Sequence, residues 1–198
     1  MSEINNKKRI AVLVSGGGSN LQAIIDNIES ENLNCEISYV IGDRPCYGLE
    51  RANNYKIKNI MLDRKLFGKN LSNEIDSILE SSDKKTDYII LAGYLSILSE
   101  NFIHKWKRKI INIHPSLLPK YGGKGMYGMK VHEAVIANKE KESGCTIHFV
   151  DTGIDTGEII INDKVPVFED DTPEILQKRL LEKEHVLIIK GIKMLLEG

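Results

Sequence analysis

Arg9-Ile10-Ala11-Val12-Leu13-Val14-Ser15-Gly16-Gly17-Gly18-Ser19-Asn20-Leu21 is the stretch whose reading decides the fold. From Ile10 to Val14 every residue is apolar, without the polar alternation of a half-exposed strand, so the run predicts a strand covered on both faces. Three glycines end it, and from Leu21 to Ile28 the apolar spacing becomes helical. Strand, glycine turn and helix in that order open a βαβ unit. The alternation recurs at Glu36 to Ile41 followed by Tyr47 to Asn54, and at Tyr88 to Ala92 followed by Glu100 to Trp106. The expected class is therefore α/β, with a mainly parallel twisted sheet and helices on both faces.

The rhythm changes after Ile110 to Ile113. A proline- and glycine-rich stretch from Pro115 to Gly128 intervenes before helical spacing resumes at Val131 to Ala137, which predicts a functional loop. Cys145 to Val150 and Glu158 to Val167 read as strands joined by the turn from Asp151 to Gly157, an antiparallel C-terminal addition. Asp171-Thr172-Pro173-Glu174 signals the start of a last helix running to Leu196, because proline is pre-organised for the first helical position. Without repeats or a linker, residues 1–198 are expected to form a single domain, long enough to bury a core without disulfide or metal staples.

Composition narrows the function classes. The formal net charge of -1 supplies no global attraction to nucleic acid or an anionic membrane, so any anion must be held by a local arrangement. No run approaches the roughly 18 apolar residues of a spanning helix. The first apolar run breaks at Ser15, too early for a signal peptide, so a cytoplasmic location is expected. Three cysteines, Cys35, Cys46 and Cys145, are odd in number and lack CxxC pairing, which predicts reduced thiols and no metal site.

Two constellations carry chemistry. Between the first strand and first helix, Gly16, Gly17 and Gly18 let backbone amides turn toward one ligand, and Ser19 with Gln22 three residues on predicts a capping box. The free amides and dipole at such a helix start suit a phosphate. The third glycine of the dinucleotide fingerprint is replaced by Leu21 and no Gly-Lys-Ser/Thr closes a P-loop, so a monophosphate fits most simply. Asp43, near the end of the second strand, leaves a ribose-binding acid and a dinucleotide as the alternative.

The second constellation is Asn112-Ile113-His114-Pro115. Residues two apart in a strand point the same way, so Asn112 and His114 converge while Ile113 faces the core, and Pro115 ends the ladder. An amide beside an imidazole can hydrogen-bond an oxyanion and pass a proton, the requirement of acyl transfer. Asp155, in the turn from Gly153 to Gly157, reads by itself as a turn residue, with a carboxylate that favours the charged imidazole as the alternative. Of the remaining histidines, His148 reads mainly as a structural residue with site support as the alternative, His132 as helix surface, and His104 with Lys105 to Lys109 as a solvated helix end around Trp106.

With these residues in view, the chain resembles the phosphoribosylglycinamide formyltransferase family over almost its full length. The resemblance rests on Val14 to Ile25, Leu91-Ala92-Gly93-Tyr94-Leu95-Ser96-Ile97-Leu98, Asn112 to Pro119, and Gly144 to Val150 running into Asp155. The middle two motifs are shared with methionyl-tRNA formyltransferase and formyltetrahydrofolate hydrolase; the glycine loop with Ser19 and Asn20 points to the glycinamide enzyme. Those relatives are expected to need an added RNA-binding or regulatory domain, which 198 residues do not accommodate.

The resemblance implies a Rossmann-like formyltransferase fold and transfer of the formyl group of 10-formyltetrahydrofolate to 5-phosphoribosylglycinamide in purine biosynthesis. It implies that Gly18, Ser19 and Asn20 hold the ribose phosphate, that Glu184 faces the acceptor, and that Leu95, Ser96, Ile97 and Leu98 line the folate pocket with backbone contacts. Asn112 and His114 would stabilise the tetrahedral intermediate, with Asp155 keeping His114 charged and Asn112 also touching the folate. Lys69 or Asn70 stands where relatives often carry an arginine near the folate tail. The loop from Lys120 to Met129 is longer and richer in glycine than the common form. The partners implied are the small-molecule substrates, without nucleic acid or membrane, in a monomer or homodimer and without a metal.

Overall fold

The computed structural model describes residues 7–81 and 85–197. They fall into two compact units divided between Leu98 and Ser99.

In the first unit, β1 (Lys8–Val14) lies between β2 (Cys35–Gly42) and β4 (Tyr88–Leu91), with β3 (Asn59–Met61) outside β2. All three pairings are parallel. Ile10, Ala11, Val12, Leu13 and Val14 are fully buried, as the unbroken apolar run requires of a central strand. The glycine turn leads into α1 (Ser19–Glu29), which buries Leu21, Ile24 and Ile25 along one stripe. Helix α2 (Tyr47–Asn54) has the bounds expected of it. Between α2 and β4 lie pieces that the alternation does not announce: β3, the short α3 (Arg64–Phe67), a 3₁₀ turn over Gly68–Asn70, and α4 (Leu71–Ser81), which buries Leu71, Ile75 and Leu79.

The expected Ser19–Gln22 capping box does not form. The helix begins at Ser19, so its N-cap is Gly18, which has no side chain to cap with. The Gln22 carboxamide donates instead to Asp26 Oδ1 at 2.8 Å and the Tyr55 hydroxyl at 3.0 Å.

The second unit runs α5 (Glu100–Lys105), β5 (Ile110–His114), α6 (Met129–Ala137), β6 (Glu142–Phe149), β7 (Ile159–Pro166) and α7 (Pro173–Glu197). Strands β5, β6 and β7 are neighbours in that order, and both pairings are antiparallel, the C-terminal addition expected from the turn at Asp151 to Gly157. Trp106, just past α5, is buried and stacks on Phe102, while His104, Lys105, Lys107 and Lys109 are exposed. Helix α7 starts with Pro173, and Thr172 Oγ1 accepts from the Ile175 amide. Leu176 and Leu180 of this helix pack with Val135 of α6 and Val165 of β7. A Cβ at Gly191 would lie 2.9 Å from the Ile147 side chain, so glycine there lets α7 approach β6. Among the described residues no helix is long and apolar enough to cross a membrane. The chain is thus α/β, parallel in its first half and antiparallel in its last strands.

Candidate active site

The glycine loop of the first unit is held by its carbonyls. Gly16 O accepts from the Gly48 amide at 3.0 Å, Gly17 O from Arg51 Nε at 2.8 Å, and Gly18 O from the Gln22 amide at 2.9 Å. A trans peptide directs its N–H opposite to its C=O, so three carbonyls turned into the unit turn the amides of Gly17, Gly18 and Ser19 outward as a nest for an anion. Gly18 takes φ 69°, and a Cβ there would meet Gly48 Cα at 2.6 Å; both facts demand glycine. Ser19 is half-buried and Asn20 buried at the first turn of α1.

Asp43 does a different job from the ribose-binding one held open above. Its carboxylate is fully buried and accepts two bonds from Arg44, each 2.8 Å, and one from Ser96 Oγ. Burial pushes its pKa up, but the hydrogen bonds from Arg44, Ser96 and Ser15 outweigh it and hold the carboxyl below the usual range. The loop after β4 is tied to the glycine turn as well, since Ser15 Oγ accepts the Leu95 amide at 2.8 Å and Gly93 O the Ser15 amide at 3.2 Å. Leu95 and Ile97 are exposed, Ser96 is half-buried and Leu98 is buried. Lys69 and Asn70 sit exposed on the 3₁₀ turn.

In the second unit the strand register brings the polar side chains together. Asn112 pairs across with His148, and His114 with Thr146, so period-two alternation puts all four on one face of the β5–β6 ladder while Ile113 and Ile147 face the other way. The turn beyond His114 is pinned by Thr146: its Oγ1 donates to Ser116 O at 2.7 Å and accepts the Leu118 amide at 3.2 Å. Ser116 Oγ donates to Lys120 O at 2.6 Å.

His114 is buried, and each ring nitrogen faces an acceptor. Nε2 is 2.8 Å from the Tyr121 carbonyl, which requires a proton on Nε2, and Nδ1 is 3.5 Å from Asp155 Oδ2. The doubly protonated ring satisfies both. Asp155 Oδ2 also accepts the Gly123 amide at 3.0 Å, and its Oδ1 lies 3.7 Å from His148 Nε2. Tyr121 and Asp155 both hold left-handed backbone angles, φ 55° and 58°, a local strain of the kind concentrated at working sites. Asn112 Nδ2 lies 3.1 Å from His148 Nε2, and His148 Nδ1 is 2.8 Å from the Phe149 carbonyl. Burial pushes the His148 pKa down, so its ring is neutral.

Two histidines depart from the sequence reading. His148 belongs to the constellation, because the antiparallel register sets it opposite Asn112. His132 is not helix surface: α6 turns it inward with Val131 and Val135, leaving Glu133 exposed. Its Nδ1 has no hydrogen-bond partner, and burial, followed by the nearby charge of His114, pushes its pKa down to about 4. No local signal separates an inward from an outward histidine on a nine-residue helix; the Val131–Val135 spacing gives the buried stripe but not its width. Glu184 is half-buried on α7, near enough to Cys145 of β6 that its charge adds to burial in pushing that thiol up to about 12. Among the described residues, no group of three or more His, Cys, Asp or Glu is placed to hold a metal ion.

An α/β fold carrying an amide and two imidazoles on one strand face, with a carboxylate from the following turn, has the groups that acyl transfer uses. A family model described as formyl transferase matches residues 8–192. The phosphoribosylglycinamide formyltransferase of Haemophilus influenzae is 40% identical over 96% of this chain and 88% of its own length. The trifunctional purine biosynthetic protein adenosine-3 of Chironomus tentans is 40% identical over 97% of the chain, which spans only 14% of that much longer relative. Among solved structures, glycinamide ribonucleotide transformylase 1 from Symbiobacterium toebii matches 98% of this chain and 89% of its own, at 34% identity and a TM-score of 0.90. The chain belongs to the formyl transferase family.

Proposed function

We propose that this protein transfers the formyl group of 10-formyltetrahydrofolate to the amine of 5-phosphoribosylglycinamide, a step of purine biosynthesis. The observation that carries the reading is the Asn112–His114–Asp155 cluster, an oxyanion-stabilising set at a strand end. In this reading the acceptor amine attacks the formyl carbon and a C–N bond forms. The carbonyl oxygen becomes negative and is met by an Asn112 N–H and by the His114 Nε2–H, which in this conformation donates to Tyr121 O. The proton lost by the amine ends on the folate nitrogen, whose bond to the formyl carbon breaks as the oxyanion collapses. Asp155 holds His114 charged and in place throughout.

Gly18, Ser19 and Asn20 bind the acceptor phosphate in this scheme, supported by the outward amides of the glycine nest. Glu184 faces the acceptor, and Leu95 to Leu98 receive the folate ring system with Asn70 toward its tail. The exposed Leu95 and Ile97 side chains supply apolar surface for that ring. The protein works as one domain, a cytoplasmic monomer or homodimer on small-molecule substrates, and uses folate as a co-substrate. The test is deformylation of 10-formyltetrahydrofolate followed with and without the glycinamide acceptor. Acceptor-dependent release is expected. Release without acceptor would assign a hydrolase instead, and no release in either case would reject the formyl-transfer reading.

A further inference from the structure

We propose that His148 is a positioning residue for formyl transfer, fixing which face of the Asn112 amide meets the reacting atoms. The inference rests on the functional reading above but stands on its own geometry. The Phe149 carbonyl can only accept, so the 2.8 Å contact places a proton on His148 Nδ1. The buried ring is neutral, so Nε2 carries a lone pair, and at 3.1 Å from Asn112 Nδ2 it accepts one amide N–H.

That acceptor breaks a degeneracy. The two ends of an asparagine amide are nearly equal in size, so packing alone barely distinguishes the orientation with Nδ2 toward β6 from its flipped counterpart. With the flipped amide, Oδ1 would face the Nε2 lone pair at about the same separation, acceptor against acceptor. The orientation kept leaves the second Asn112 N–H and Oδ1 for substrate. The N–H can meet the developing oxyanion and Oδ1 can accept from the attacking amine.

Three features separate this role from filling space. His148 and Asn112 are direct cross-strand partners, so the register holds the contact. Both His148 nitrogens lie within hydrogen-bond distance of a protein group. The ring is 2% exposed, so its orientation is set by these protein partners and not by solvent. Asp155 Oδ1 at 3.7 Å and His114 act on the same ring, one favouring and one opposing its protonation, and the neutral form prevails against the first.

The test is a double-mutant cycle with His148→Phe and Asn112→Ala, reading kcat and both KM values for formyl transfer. Losing one neutral orienting hydrogen bond is worth about tenfold. His148→Phe is therefore expected to lower kcat about tenfold with each KM within twofold, and to add less than twofold when Asn112→Ala is already present. An equal loss in both backgrounds, or an unchanged kcat in the single variant, would overturn the role. His148→Gln, which keeps a carbonyl acceptor, is expected to recover most of the rate and guards against a misfolded phenylalanine variant. Nitrogen NMR of ¹⁵N-histidine-labelled wild type reads the tautomer without substrate. Protonated Nδ1 with bare Nε2 supports the proposal, and an Nε2–H tautomer overturns it even in an active enzyme. A wild type inactive in formyl transfer would instead sink the functional reading.

Discussion

Asp155→Asn exchanges one oxygen for an NH₂ group of nearly the same size, and so removes a charge while leaving the packing. The carboxylate it replaces has 13% of its side chain exposed and lies 3.5 Å from His114 Nδ1. Two unit charges at that distance, in a site of effective dielectric about 20, interact by about 5 kcal/mol. Partial exposure lowers the usable share to about 3–4 kcal/mol, because solvent screens one edge of the pair. The asparagine oxygen can still accept the Gly123 amide, so the loop stays anchored, but in the proposed mechanism the His114 cation facing the oxyanion loses its partner. The expected result is a fall in kcat of about 10²–10³, with KM for the phosphorylated acceptor within threefold. The assay is initial-rate formyl transfer at saturating substrates, with a thermal melt on the same preparation. A folded Asp155→Asn protein retaining kcat within threefold of wild type would refute the reasoning. So would a melting temperature lowered so far that lost stability explains the lost rate.

Gly18→Ala places a Cβ 2.6 Å from Gly48 Cα on a residue at φ 69°, so the glycine loop must shift; acceptor KM is expected to rise at least tenfold while folate KM stays within twofold, and equal rises in both would count against a phosphate nest. Asp171 is bonded twice by Arg179, at 2.6 and 2.7 Å, and that pairing holds its carboxyl below the usual range despite burial. A folded pKa below the unfolded value of about 3.9 means the stabilisation is present above that pH and lost as pH falls through the folded value. Asp171→Asn should therefore cost about 2–3 kcal/mol at pH 7 in denaturant melts, with the gap to wild type closing under acid, and a constant gap down to pH 2 would contradict the assignment. Burial pushes Cys35 and Cys145 up to about 12, so iodoacetamide at pH 8 should label only the half-buried Cys46 in the native protein, as mass spectrometry of the intact chain can check. Rapid labelling of all three thiols would show that the core opens.

The two constellations were legible in the sequence to different degrees. The glycine loop is local: its strand, turn and helix follow one another, so residues 10–25 reveal a phosphate-suited turn without outside help. What they could not reveal was that Arg51 and Gly48, more than 30 residues away, consume its carbonyls and thereby aim its amides. The capping box failed for a related reason. Both residue types were present, but the helix began one residue earlier than the box requires, and Gln22 found partners in Asp26 of the same helix and in Tyr55 and Arg51 beyond it.

Asn112 and His114 were readable as a pair because strand alternation is itself local. Asp155 was readable as a turn residue or as a carboxylate partner of His114, and nothing local to the turn decides between the two. His148 and His132 show where reading by pattern stops. A histidine in an apolar run satisfies the same period whether it supports a site or fills a core, and the choice depends on what lies opposite.

The sequence by itself determined the α/β class, the glycine turn, the antiparallel end and the polar pair on β5, because each depends on the order and period of neighbouring residues. Only the tertiary structure decided that His148 faces Asn112, that Asp155 reaches His114, that His132 points inward and that Asp43 serves Arg44 and Ser96. These contacts join residues far apart in the chain. They are set by strand register and by the need of each buried polar group for a partner, which a linear reading does not contain.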